Sequence, residues 1–407
     1  MKKIMMMAMM VVASATAFAG DSDAFKALKK SFKGLGYAEA ETLVKNSLDQ
    51  LANDQEKAAA YNMLVDLAYD AFNKQSTIVT ENQLAQQMGK EEKPVDNELM
   101  AEMAYNAIVY AIECDKYDQQ PNEKGKVAPK FADKNAQRLW LAPRNCLVNA
   151  GQEAVQAKDI AKGRKYWELF TLSEAEPLFK DCDRNPQKAF FGQVARYATQ
   201  FAFQDKDYAK ALQLCDVAMK DPEEFETCLN IKLEILGSDL KTREDSLNFI
   251  SQLRDIYAEH KVDGVMEKLS NMLMLTGDKE GAMKVLDDAL AANPNNFVAL
   301  FDKGNTLLQD QKTAEAVECL KKAFEIKSDN ALIAAYTGHA FAVLAQETED
   351  AAKKKDLYKQ AIEYLDKAKE LDPDRLQSNW GYSRYNAYYN YYGADAPETI
   401  QAEADSK

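Results

Sequence analysis

Histidine is scarce, with 2 in 407 residues, and glycine and proline are thin at 16 and 10. So few histidines leave little for an imidazole acid/base site or a metal cluster, and so few glycines leave little for a phosphate-cradling loop. No catalytic centre, cofactor or metal site is expected. Basic blocks are missing too: 51 Lys plus Arg face 65 Asp plus Glu, a formal net charge of -14. Nucleic acid and anionic lipid surfaces are held by clustered Lys and Arg, so neither partner class is expected. The six cysteines, Cys114, Cys146, Cys182, Cys215, Cys228 and Cys319, contain no C-x-x-C spacing, which argues against a zinc or dithiol redox motif. They suit a helical core as small apolar side chains, or one or more bridges in an oxidising compartment, with the pairing left open.

Long apolar runs are absent as well; no segment approaches the roughly 18 uninterrupted apolar residues of a membrane span. The chain begins with Lys2 and Lys3, an apolar run from Ile4 to Val12, and the small-x-small triplet Ala17-Phe18-Ala19. That order is the pattern of a cleavable export signal over residues 1–19. With no cysteine beside the cleavage point to take a lipid, the expectation is a periplasmic protein with no membrane anchor. Release outside the cell is the other destination an export signal permits.

What is present is helical periodicity. Glu98 to Cys114 and Ala282 to Ala292 place apolar residues at three- and four-residue intervals, the spacing of helices with one buried face. Sustained two-residue alternation occurs nowhere, so the fold is expected to be all-α. Breaks are predicted at Gly34 to Gly36, Lys90 to Pro94, Tyr117 to Asp133, Asp183 to Pro186, Asp221-Pro222, Asn293 to Asn296 and Asp372 to Asp374. The tail from 393 to 407 is small and acidic and is expected to be disordered.

Self-comparison adds a period. Asn271, Ala282, Leu286 and Ala289 recur 34 positions on as Asn305, Ala316, Leu320 and Ala323, and Gly304 recurs as Gly338. Ala361, Leu365 and Ala368 follow after a further interval longer by about three helical turns, which keeps the same faces buried. The pattern resembles the tetratricopeptide repeat, a helix-turn-helix unit with small residues where its two helices touch. The units are Asp263 to Asn296, Phe297 to Asn330 and Ala331 to Arg375, closing on Pro294, Ser328 and Pro373. Degenerate versions are placed at Arg144 to Leu178, with Gly151, Gly163 and Trp167, and at Gly192 to Pro222, with Ala211, Cys215 and Ala218. The resemblance implies a right-handed α-solenoid. Its expected divisions are 20–135, an N-terminal helical region with degenerate repeats; 136–262, degenerate pairs; 263–375, three repeats; and 376–392, an aromatic capping helix.

The resemblance also implies a site. In this family the ninth position of each first helix lines a concave groove; here it is Asp66, Gln152, Gln200, Asn271, Asn305 and His339. Neighbouring Phe301, Met274 and Leu308 would make the groove partly apolar, suited to a peptide held by its backbone. The expected function is a non-catalytic scaffold binding a protein or peptide. A second class is a glycan- or small-ligand-binding protein using Trp380, Tyr385, Tyr388, Tyr389 and Tyr392, placed on the capping helix.

Overall fold

The computed structural model describes residues 21–407, so the export segment 1–19 lies outside the described residues. Among those residues the chain is helical throughout, with no strand. It divides into two compact units, with the boundary after Leu236. No helix of the described residues is long and apolar enough to cross a membrane.

The first unit runs α1 (Asp23–Phe32), α2 (Tyr37–Ser47), α3 (Asp54–Gln87), α4 (Asn97–Asp118), α5 (Ala132–Leu139), α6 (Ala142–Gln156), α7 (Ile160–Leu172), α8 (Lys188–Gln204), α9 (Tyr208–Ala218) and α10 (Phe225–Gly237). Short polar caps set the starts: Asn53, Asp96, Asp159 and Asp207 each accept a backbone N–H of the first turn, satisfying a donor that has no partner inside the helix. The long pair α3 and α4 buries Leu64, Val65, Ala104, Ile108 and Ala111 in one core. The boundary expected between 135 and 136 falls inside α5. That helix is joined to what precedes it, because the loop 119–131 is pinned by Asp118, whose carboxylate accepts from the amides of Lys130 and Phe131 at 2.8 and 2.7 Å.

The second unit contains α11 (Arg243–His260), α12 (Asp263–Leu275), α13 (Lys279–Ala292), α14 (Phe297–Gln309), α15 (Thr313–Ile326), α16 (Ala331–Glu347), α17 (Ala351–Leu371), α18 (Gly381–Tyr392) and α19 (Pro397–Ser406). The three expected repeats are the pairs α12/α13, α14/α15 and α16/α17. Their small residues serve close approach. A Cβ on Gly304 would lie 2.6 Å from the Leu320 side chain, and one on Gly338 would lie 2.5 Å from that of Leu365, so nothing larger than glycine fits without a shift. In the third pair α16 has 17 residues and α17 has 21, against 13 and 14 in α14 and α15, which accounts for the longer interval.

A backbone feature repeats with the register in both units. Lys158, Lys206, Gly277 and Gln311 all have positive φ, at 65, 61, 88 and 60°, and each follows the first helix of a pair. A left-handed residue there ends one helix and reverses the chain. Three of the four are followed at once by an aspartate that caps the next helix, Asp159, Asp207 and Asp278.

The tail is a correction. Residues 397–406 form α19, which packs on α18 to make a fourth hairpin. Only Thr399 and Ala402 of it are buried, too narrow an apolar stripe to show as a helix in the sequence. Polar contacts hold it instead: Asp405 bridges Arg384 at 3.0 Å and Lys369 at 2.6 Å, and Arg375 donates to the Ser406 carbonyl at 2.9 Å.

Candidate functional site

The ninth-position residues do not behave alike. In the first unit Asp66 is consumed by the fold: it pairs with Arg138 at 2.7 Å and Lys134 at 3.1 Å and accepts from Asn62 at 3.0 Å. Gln200 accepts from Arg196 at 3.1 Å, while Gln152 is exposed. In the second unit His339 shares its Nδ1 with the Ser383 hydroxyl at 3.2 Å, so α18 has taken up that position. Partial burial there holds its imidazole below the ordinary range.

Asn271 on α12 and Asn305 on α14 differ from these. Asn271 is exposed and Asn305 half-buried, and neither carboxamide has a hydrogen-bond partner among the described residues. Each keeps a C=O acceptor and an NH2 donor group, the complement of a peptide backbone. Met274 and Leu308 lie half-buried three residues beyond them, and Phe301 packs edge-on against Tyr336 with ring centroids 5.2 Å apart. Leu275, 81% exposed, extends the apolar surface at the end of α12.

One residue of α14 was not anticipated. Asp302, beside Phe301, is largely buried, and its Oδ2 has no hydrogen-bond partner. Burial, and then the charge of Glu267 on α12, push its carboxyl up to about 7. The nearest cation in sequence, Lys303, is spent on Asp287 at 2.6 Å. A lone aspartate within the apolar stretch Phe297 to Leu308 was the signal available.

The aromatic group at α18 divides between core and surface. Trp380 is 2% exposed and donates to the Asp372 carbonyl at 2.7 Å; Tyr388 is 8% exposed and donates to Asp366 at 2.8 Å. Both face the core, out of a ligand's reach. Arg384, one helical turn before Tyr388 and so on the same inward face, is itself held to Asp366 at 2.6 Å. Tyr385 is half-buried against Tyr389 at 6.1 Å, leaving Tyr389 and Tyr392 exposed at 47 and 49%.

The first unit holds a cleft of about 890 Å³ lined by Arg184, Gln187, Lys188, Phe191, Lys220 and Pro222, among others. Next to it is Arg144, which is wholly buried and had no signal in the sequence beyond its register. Its guanidinium donates to Gln187 at 2.7 Å and to the Phe170 carbonyl at 2.9 Å, and lies 3.9 Å from the Trp140 ring centre. Loss of solvent brings its pKa down to about 10. These bonds join α6, α7 and the turn before α8, a structural task. No group of three or more potential metal ligands is gathered among the described residues.

The tetratricopeptide-repeat family model matches residues 298–330 and 350–375. Among solved structures, MamA is matched at 15% identity over 41% of this chain and 90% of that one, with a TM-score of 0.33. A human IFIT1 dimer with m7Gppp-AAAA is matched at 14% identity over 81% and 71%, with a TM-score of 0.36. The TPR2AB domain of yeast Sti1 in complex with pHSP90 is matched at 15% identity over 62% and 98%, with a TM-score of 0.25. No curated protein matches.

Proposed function

We propose that the chain, which carries tetratricopeptide repeats at 298–330 and 350–375, is an exported, non-catalytic scaffold whose second unit binds a peptide segment of a protein partner along α12 and α14. The observation that carries this reading is the pair of unengaged carboxamides on Asn271 and Asn305, flanked by Met274, Leu308 and Phe301. Asn271 is exposed and Asn305 half-buried, so a ligand backbone would replace their bonds to water, each exchange a modest net gain. The surrounding helices fix the two amides before binding, which lowers the ordering cost. Export rests on the Lys2 to Ala19 pattern and is checked by cell fractionation and by sequencing the mature N-terminus.

The test is capture from an envelope extract with the intact protein and with an Asn271→Ala, Asn305→Ala double variant of unchanged helical content. A partner held by the parent and lost by the variant supports the groove. The same proteins retained by both would remove it.

A second reading has its own observation. Tyr389 and Tyr392 are exposed beside the exposed Asn390 and half-buried Asn386, a combination of ring faces and amides suited to a sugar. Glycan-array binding abolished by Tyr389→Ala with Tyr392→Ala, and untouched by the asparagine changes, would favour it.

A further inference from the structure

Two of the six cysteines meet. Cys215, near the end of α9, and Cys228, in the first turn of α10, are both fully buried and share a small apolar cluster with Ala195 and Ala218. The Cys215 Sγ lies 3.4 Å from the backbone oxygen of Cys228. A carbonyl oxygen is about 2.4 Å from its own Cα, so that sulfur lies within about 6 Å of the Cys228 Cα. A bridge requires Cα atoms about 4.4–6.8 Å apart, and to reach Cys215 the Cys228 thiol would have to leave the Thr199 side chain to which it is hydrogen-bonded. The Cys114 thiol donates to the carbonyl of Ala58, which is no cysteine, at 3.3 Å, and Cys319 belongs to the second unit.

We infer that Cys215 and Cys228 form a disulfide when the chain folds in the presence of a disulfide donor, tying α9 to α10 across residues 219–224. The chemistry is thiol–disulfide exchange. One cysteine, as thiolate, attacks the donor's S–S bond and forms a mixed disulfide; the second then displaces the donor sulfur. The protein loses two protons and two electrons, and the donor disulfide is reduced to two thiols. Timing follows from burial. Once the cluster has closed, loss of solvent pushes the Cys215 thiol up to about 12 and that of Cys228 up to about 11, so little thiolate is available. The bridge therefore forms as the helices come together, and reagents acting on the folded, reduced protein miss it.

The experiment uses the full chain, reduced in guanidinium and refolded in a glutathione buffer with oxidised glutathione as donor. Free thiols are then blocked with N-ethylmaleimide under denaturing conditions and the peptides mapped by mass spectrometry. The expected product links Cys215 to Cys228 and leaves the other four cysteines alkylated. A parallel incubation kept in guanidinium measures pairing by sequence proximity alone, and refolding should raise the linked fraction roughly 10-fold over it. Equal fractions, alkylation of both residues after refolding, or a bridge from either one to a different cysteine would overturn the inference. In Cys228→Ser, Cys215 should be recovered alkylated; its appearance in another bridge would count equally against the pair.

Discussion

The indole of Trp167 occupies the space that a methyl group on residue 151 would need, and its Nε1 donates to the Val148 carbonyl at 3.0 Å. Glycine at 151 is thus fixed by contact between α6 and α7, where the first unit's degenerate repeat has its small residue. Gly151→Ala should destabilise the protein by about 1–3 kcal/mol, the usual cost of overpacking a core. The check is a urea titration followed by tryptophan fluorescence; an unchanged midpoint would show that the helices separate at no cost.

Asp302 gives a pH prediction with a definite sign. Its carboxyl titrates near 7 in the folded chain and in the ordinary carboxylate range when unfolded, so between those values the folded state binds the extra proton. Stability is full below the ordinary range and falls as pH rises to about 7, by an upper bound on the order of 4 kcal/mol. Asp302→Asn should flatten that decline and be more stable than the parent at pH 8. Thermal melts across pH 4 to 8 decide it, and parallel curves for the two proteins would refute the assignment.

Residues forced to left-handed φ offer the opposite kind of change. Lys206 and Gln311 stand where Gly277 stands in its own pair, and a side chain in that conformation is strained by roughly 1 kcal/mol. Lys206→Gly and Gln311→Gly should each raise stability by about 0.5–1 kcal/mol despite the added freedom of the unfolded chain. Denaturant midpoints test this directly, and a loss of stability would mean that the side chains contribute more than the strain removes.

Hydrogen exchange should single out α19. Its anchor, Asp405, is held below the ordinary carboxylate range chiefly by the hydrogen bond from Lys369. A depressed carboxyl contributes stability above the ordinary range, and that contribution is lost as pH falls through its folded value. Amides of residues 397–406 should exchange faster in Asp405→Ala than in the parent at pH 7, with the two converging in acid. Equal protection at pH 7 would place the docking energy in Ala402 and Thr399 instead.

Much of the fold was legible because its signals are local. The small positions Gly304 and Gly338 and the apolar stripes around them lie within one repeat, so the 34-residue period and the family resemblance together set the helix pairs. The tail was not legible, since α19 is held by Arg384, Lys369 and Arg375, contacts that leave no hydrophobic periodicity in its own sequence. Arg144 was hidden for a related reason: its partners Gln187 and Phe170 lie 43 and 26 residues away. For the site, register located the asparagines correctly on the first helices, but it could not show that Asp66 and His339 were already engaged, or that Trp380 and Tyr388 turn inward.

The third repeat carries a practical consequence in its extra length. Four more residues in α16 and seven more in α17, relative to α14 and α15, extend the hairpin by about 6–10 Å at 1.5 Å per residue. Thr313 steadies this extension through Glu347 at 2.9 Å, while residues 348–353, at its tip, are mostly exposed. A fluorophore or affinity tag grafted there would ride on the end of a lengthened hairpin and leave the residues of α12 and α14 unaltered.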